Sequence, residues 1–261
     1  MRSSDNKPFI YEKQQLIETI CQLRFPTILS IDAKEPADFQ DLIRADFPQY
    51  SCQMDSVPGP DGKPQQVRNH NFITADGGYK ISLTKDFIAL STMRYTGWED
   101  FARMLDQPLG QFIQVYKPAY FSRIGLRYLN GFSRDKLGLT GRRWNDLLQP
   151  QVLGILDDDD IDEADVVKCA VDVERRLDKR FGLKMHAGPG SIRRTTRTGA
   201  GLQTVQEKET RFILDLDVSA TGNTALSAAA ETLEQLHAYA DRIFSDSITD
   251  ALHDAMEPVM I

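Results

Sequence analysis

Arg123-Ile124-Gly125-Leu126-Arg127-Tyr128-Leu129-Asn130 decides how this chain folds. Its side chains alternate at the two-residue period of a strand. Ile124, Leu126 and Tyr128 fall on one face, and Arg123, Gly125 and Arg127 on the other. A glycine between two same-face arginines leaves room for something to approach the sheet. One reading has the arginines bridging carboxylates on a neighbouring strand or a covering helix. The other makes Arg123, Arg127, Tyr128 and Asn130 a site for an anionic ligand.

Upstream of this strand lies a long amphipathic helix. Trp98, Phe101, Leu105, Leu109, Phe112, Ile113 and Tyr116 recur at steps of three and four, and Pro118 ends the pattern. Pro108 inside it is expected to kink the helix or mark a restart. Before the helix, residues 16–25 alternate as a strand and stop at Pro26, and residues 35–46 form a short helix on Phe39, Leu42 and Ile43. Residues 55–66 read as a Pro/Gly loop. A hairpin spans 69–74 and 79–84 around Asp76-Gly77-Gly78, followed by a strand at 87–95.

Downstream, a short helix near Trp144 precedes an acidic turn at 157–165, which is either a solvated loop or a carboxylate cluster for a divalent cation. Strands are expected at 166–177, 182–187 and 211–219, with a Gly/Thr/Arg-rich linker over 188–209. The last element is one helix from Thr224 to the stop at Pro258, with Leu226, Leu233, Leu236, Ala240, Ile243, Phe244, Ile248, Leu252 and Met256 on its apolar face. The fold class is therefore α+β, with antiparallel sheets each covered by a long amphipathic helix. Strands followed by a long helix occur twice, over 1–118 and 119–261, so the chain divides into two similar halves that can still form one compact unit.

The net charge of −7 argues against non-specific coating of nucleic acid. The longest apolar runs fall well short of the roughly 20 residues of a membrane span, and no apolar segment of a secretory signal opens the chain. Cys21, Cys52 and Cys169 are odd in number and widely spaced, and Cys21 and Cys169 lie in apolar runs as reduced core thiols. A cytoplasmic protein that spans no membrane is expected.

Four segments together resemble one family: the opening strand at 16–25, the helix from Trp98, the strand Arg123 to Asn130, and the terminal helix carrying His237 and Phe244-Ser245-Asp246-Ser247-Ile248-Thr249. It is a sporadically distributed family of bacterial proteins with no established activity. The resemblance covers nearly the whole chain and rests on the order of elements more than on any one motif. It implies an accessory or mobile-element-borne role.

No catalytic signature accompanies it. The histidines His70, His186, His237 and His253 are scattered, with no two at metal-ligand spacing, and neither a nucleophile elbow nor a Cys-Xaa-Xaa-Cys pair occurs. No cofactor or metal is expected. Basic residues crowd 175–197, and Arg193, Arg194 and Arg197 stand in a flexible stretch rich in donors, without the spacing of a Walker loop. Three functions follow. The first is a non-enzymatic, self-associating interaction module for a protein or anionic partner. The second is a small-ligand binder or enzyme with a pocket between sheet and helix, near Arg123, Arg127, Tyr128 and Trp98. The third is nucleotide or nucleic-acid contact through the basic loop at 188–201.

Overall fold

Alternation over the central segments produces strands that bury one face. The computed structural model describes residues 9–58, 62–198 and 201–260, with the side chains of 9, 58, 194–198 and 201–205 left out of that description. Its strands are β1 (Phe9–Tyr11), β2 (Leu16–Arg24), β3 (Gln49–Pro58), β4 (Pro64–Ile73), β5 (Tyr79–Leu83) and β6 (Phe87–Thr92). They continue with β7 (Phe121–Phe132), β8 (Val171–Arg176), β9 (Phe181–Thr198), β10 (Gly201–Thr224) and β11 (Pro258–Met260). The helices are α1 (Leu29–Ala33), α2 (Ala37–Ile43), α3 (Trp98–Tyr116), α4 (Arg134–Leu137), α5 (Trp144–Leu147), α6 (Pro150–Leu153), α7 (Ala229–Ser245) and α8 (Asp250–Ala255).

The mixed helix-and-strand fold with antiparallel pairing is α+β, as the alternation indicates. Nine strands form one continuous sheet in the order β3-β4-β5-β6-β2-β7-β10-β9-β8. Strands β2 and β7 meet at its centre and fuse the two strand sets, pairing Leu23 with Ile124, Cys21 with Leu126 and Thr19 with Tyr128. One face carries Cys21, Leu23, Ile124, Leu126, Leu214, Leu216 and Val218, all fully buried. Helix α7 lies against β7 and β10 and buries Leu233, Leu236 and Ala240. Phe112 of α3 meets Phe25 just past β2, with ring centroids 4.7 Å apart. Strands β1 and β11 pair with each other in a separate two-stranded ribbon. Among the described residues no helix is long and apolar enough to cross a membrane.

Several boundaries differ from those the sequence suggests. Helix α3 runs unbroken through Pro108, whose ring is buried; packing against the core outweighs the one backbone hydrogen bond that proline removes. The loop expected over 55–66 and the linker over 188–209 are mostly strand, because β3 pairs with β4 to Pro58↔Pro64 and β9 pairs with β10 out to Thr198↔Gly201. Their glycines and prolines had suggested loops; edge positions and two-stranded arms tolerate such residues. Strand β8 begins only at Val171. The final helix is two helices. Ser247 turns its hydroxyl back onto the Ile243 carbonyl at 2.7 Å, Ile248 makes a bridge to Leu148, and the Thr249 side chain caps α8 by accepting from the Leu252 N–H.

The thiols sort by burial. Cys21 is fully buried, and desolvation pushes its thiol pKa up to about 12; Cys52 is exposed and Cys169 half-buried. A thiol reagent at pH 8 is expected to modify Cys52 at once and Cys21 only after unfolding in denaturant. Rapid loss of the Cys21 thiol from the folded protein, read by mass spectrometry of peptides, contradicts this packing.

Candidate ligand pocket where two helices meet the central strand

Tyr128 and Asn130 continue the buried face of β7 towards the end of the strand, where the cover is no longer purely apolar. The Tyr128 hydroxyl lies 3.0 Å from His237 Nδ1 and 3.5 Å from the Tyr95 hydroxyl. His237 comes from α7 and Tyr95 from the turn after β6. Trp98, the first residue of α3, stacks on the His237 ring with centroids 4.5 Å apart and planes 13° from parallel. Its indole N–H donates to Glu234 at 2.9 Å. The cluster thus ties the start of α3 to the middle of α7 across one strand.

Beside it is a partly open cavity of about 160 Å³. Its polar wall holds Tyr95, Tyr128, Asn130, His237, Glu99 and Asp241, and its apolar wall includes Leu16, Leu216, Phe244 and Met256. Ile10 and Tyr11 of β1 close one side. The β1–β11 ribbon is fastened there by Tyr11, whose hydroxyl lies 2.8 Å from His253 Nδ1, and by Lys13 bonded to Glu257 at 2.8 Å.

Burial governs the electrostatics. Desolvation pushes the His237 pKa down to about 4, against a smaller opposing pull from Glu99, so the imidazole is neutral at pH 7. Desolvation also holds the hydroxyls of Tyr128 and Tyr95 in their protonated form. Asp241 keeps solvent access at the rim, yet partial desolvation raises its carboxyl above the usual range. The cluster therefore offers neutral donors and acceptors with carboxylates at the mouth. An imidazole this hard to protonate is a weak base, so the arrangement suits binding better than proton transfer.

The expected site residues divide between the two faces of the sheet. Tyr128 and Asn130 line the pocket, although the Asn130 amide is committed to the Leu214 carbonyl at 3.1 Å. Arg123 and Arg127 point to the opposite face and bridge carboxylates on the neighbouring strand. Arg123 Nη2 donates to both Asp217 oxygens at 2.7 and 2.8 Å, and Arg127 Nε donates to Asp215 at 2.7 Å. The space left by Gly125 is taken up by the Arg123 guanidinium. The groove beside Arg127 holds four carboxylates, Asp172, Glu174, Asp215 and Asp217, and each is paired with a neighbouring basic side chain, His186, Lys184, Arg127 or Arg123.

Arg193 is exposed on the β9–β10 arm, and the side chains of Arg194 and Arg197 lie outside the described residues. In the acidic turn, Arg143 donates to the carbonyls of Asp158 and Ile161 at 3.1 and 2.7 Å, and Arg134 pairs with Glu163 at 2.9 Å. Among the described residues no three metal-binding side chains converge. Sequence reasoning placed Trp98 near a pocket and missed His237, Tyr95 and Asp241. The signal for His237 was its place four residues after Leu233 and three before Ala240, on the buried stripe of α7.

The His237 shift has a sign that can be measured. The folded protein resists protonation down to about 4, whereas the unfolded chain takes up the proton near 6.5. This histidine therefore costs stability progressively as the pH falls from about 6.5 to about 4, and nothing above that window. His237→Gln is expected to flatten the fall in urea midpoint between pH 7 and pH 5; an unchanged slope rules out a buried neutral imidazole. The chemistry of the cluster has to be read from its own residues, because no family model matches the chain and no curated protein is similar to it.

Proposed function

We propose that this chain is a small-molecule binding protein whose ligand sits in the cavity between β7, α3 and α7. The observation that carries this reading is the convergence of Tyr95, Tyr128 and His237, from three separate elements, on one partly open cavity with an apolar wall. An apolar pocket with a few convergent polar groups is the usual form of a ligand site. A core built only for stability would fill this space with side chains rather than hold neutral hydrogen-bonding groups against it. A cavity of about 160 Å³ is comparable to one of roughly 150 Å³ that holds benzene. The ligand, or the part of it that enters, is therefore about the size of one ring.

The finer architecture belongs to the same reading. The halves 1–118 and 119–261 are each a first strand, a meander whose last strand returns beside the first, and a long helix. The reading is supported by strand order, since β6 returns to β2 and is followed by α3, while β10 returns to β7 and is followed by α7. The pocket then lies where the helices of the two halves touch. An accessory role, as the family resemblance implies, accords with a binding module of this kind.

Ala240 is buried and lines the cavity, so Ala240→Leu fills part of it. Ligand-observed NMR with a library of one-ring compounds is expected to find binders of the native protein, and the substitution should weaken them about tenfold or more while the circular dichroism spectrum stays native. A library without binders, or binders indifferent to Ala240→Leu, rejects the reading.

A further inference from the structure

Resting on the pocket reading, we infer that the ligand carries an ammonium group: a small primary or methylated amine with an apolar, ring-sized body. The charges around the cavity favour a cation. The cavity lining contains two carboxylates, Glu99 and Asp241, and neither lysine nor arginine. His237, the one other titratable nitrogen there, is neutral at pH 7. An anionic ligand would enter against two negative charges with no cation to meet it.

Charge pairing points the same way. Three partly buried acids elsewhere in the fold are paired with arginines: Asp217 with Arg123, Asp215 with Arg127, Glu163 with Arg134. Among the described residues neither Glu99 nor Asp241 has an ion-pair partner. Asp241 is exposed at the rim, yet partial desolvation of its carboxyl disfavours its charge. A positively charged group at the rim supplies the missing half of the pair.

Aromatic rings also contribute to the lining. Tyr11, Tyr95, Trp98, Tyr128 and Phe244 line the cavity. One face of Trp98 is taken by His237, while the tyrosines and Phe244 come from β1, β7, α7 and the turn after β6. Aromatic rings with a carboxylate nearby are the recurring surroundings of ammonium ligands, because the ring faces carry negative potential. The apolar wall of Leu16, Leu216 and Met256 takes the body of the ligand.

The test uses the full chain and three probes of one shape: benzylamine, benzyl alcohol and benzoate, titrated by NMR or calorimetry at pH 7. Benzylamine is expected to bind at least tenfold more tightly than benzyl alcohol, and benzoate most weakly. Asp241→Asn and Glu99→Gln, both at exposed positions on helices, should reduce the preference for the amine severalfold and leave benzyl alcohol binding intact. If the alcohol or the carboxylate binds as well as the amine, or if the amine's advantage survives both substitutions, the ammonium assignment is wrong and the pocket reading stands. If none of the three binds, both fall.

Discussion

A strand in the middle of a sheet must find hydrogen-bond partners along both edges, since buried backbone groups left unpaired are costly. Strand β7 meets this condition with β2 on one side and β10 on the other. The pairing fixes its register, and the register fixes which side chains face the helices. A slip of one residue would bring Arg123 and Arg127 into the core and expose Ile124, Leu126 and Tyr128. The aspartates on β10 reinforce the arrangement from the other face, because Asp215 and Asp217 reach the two arginines only in this alignment. The polar cluster at Tyr128 exists because the same strand also carries the core.

Much of this was legible in the chain itself. The alternation over 123–130 gave the faces of β7 correctly, and the stripe from Trp98 to Tyr116 gave α3 to within a residue. The partners of the arginines were legible as a class but not by number, since Asp215 and Asp217 lie far away in sequence and only strand order brings them alongside. The pocket was less legible, because it depends on three long-range meetings: α7 against β7, Trp98 against His237, and β1 beside both. Local periodicity is silent about such meetings. It erred too where glycine and proline occurred in paired strands, as in the β9–β10 arm, since the same residues mark turns elsewhere.

The two faces of the sheet treat charge in opposite ways. On the open face, acids are answered by arginines on the adjacent strand at hydrogen-bond distance, an arrangement that closes on itself and offers little to a ligand. At the pocket, Tyr95, Tyr128 and His237 satisfy one another as neutral groups, while the exposed carboxylates at the mouth have no ion-pair partner among the described residues. Neutral polar networks in a low-dielectric setting hold their geometry well when each member has a partner. This gives the cavity a rigid back wall and an acidic rim, a combination that favours recognition over packing.

The ribbon of β1 and β11 joins segments that lie far apart in sequence. Tyr11 meets His253 across 242 positions, and Ile10 pairs with Val259. The central sheet can assemble from residues 16–224, all of which are made before α7 emerges, but the wall contributed by Ile10 and Tyr11 is held in place only when β11 has been made. Contacts of such separation are slow to form and come late in folding. The cavity thus matures after the sheet, and a chain arrested or clipped before Pro258 would keep its sheet while losing one side of its pocket.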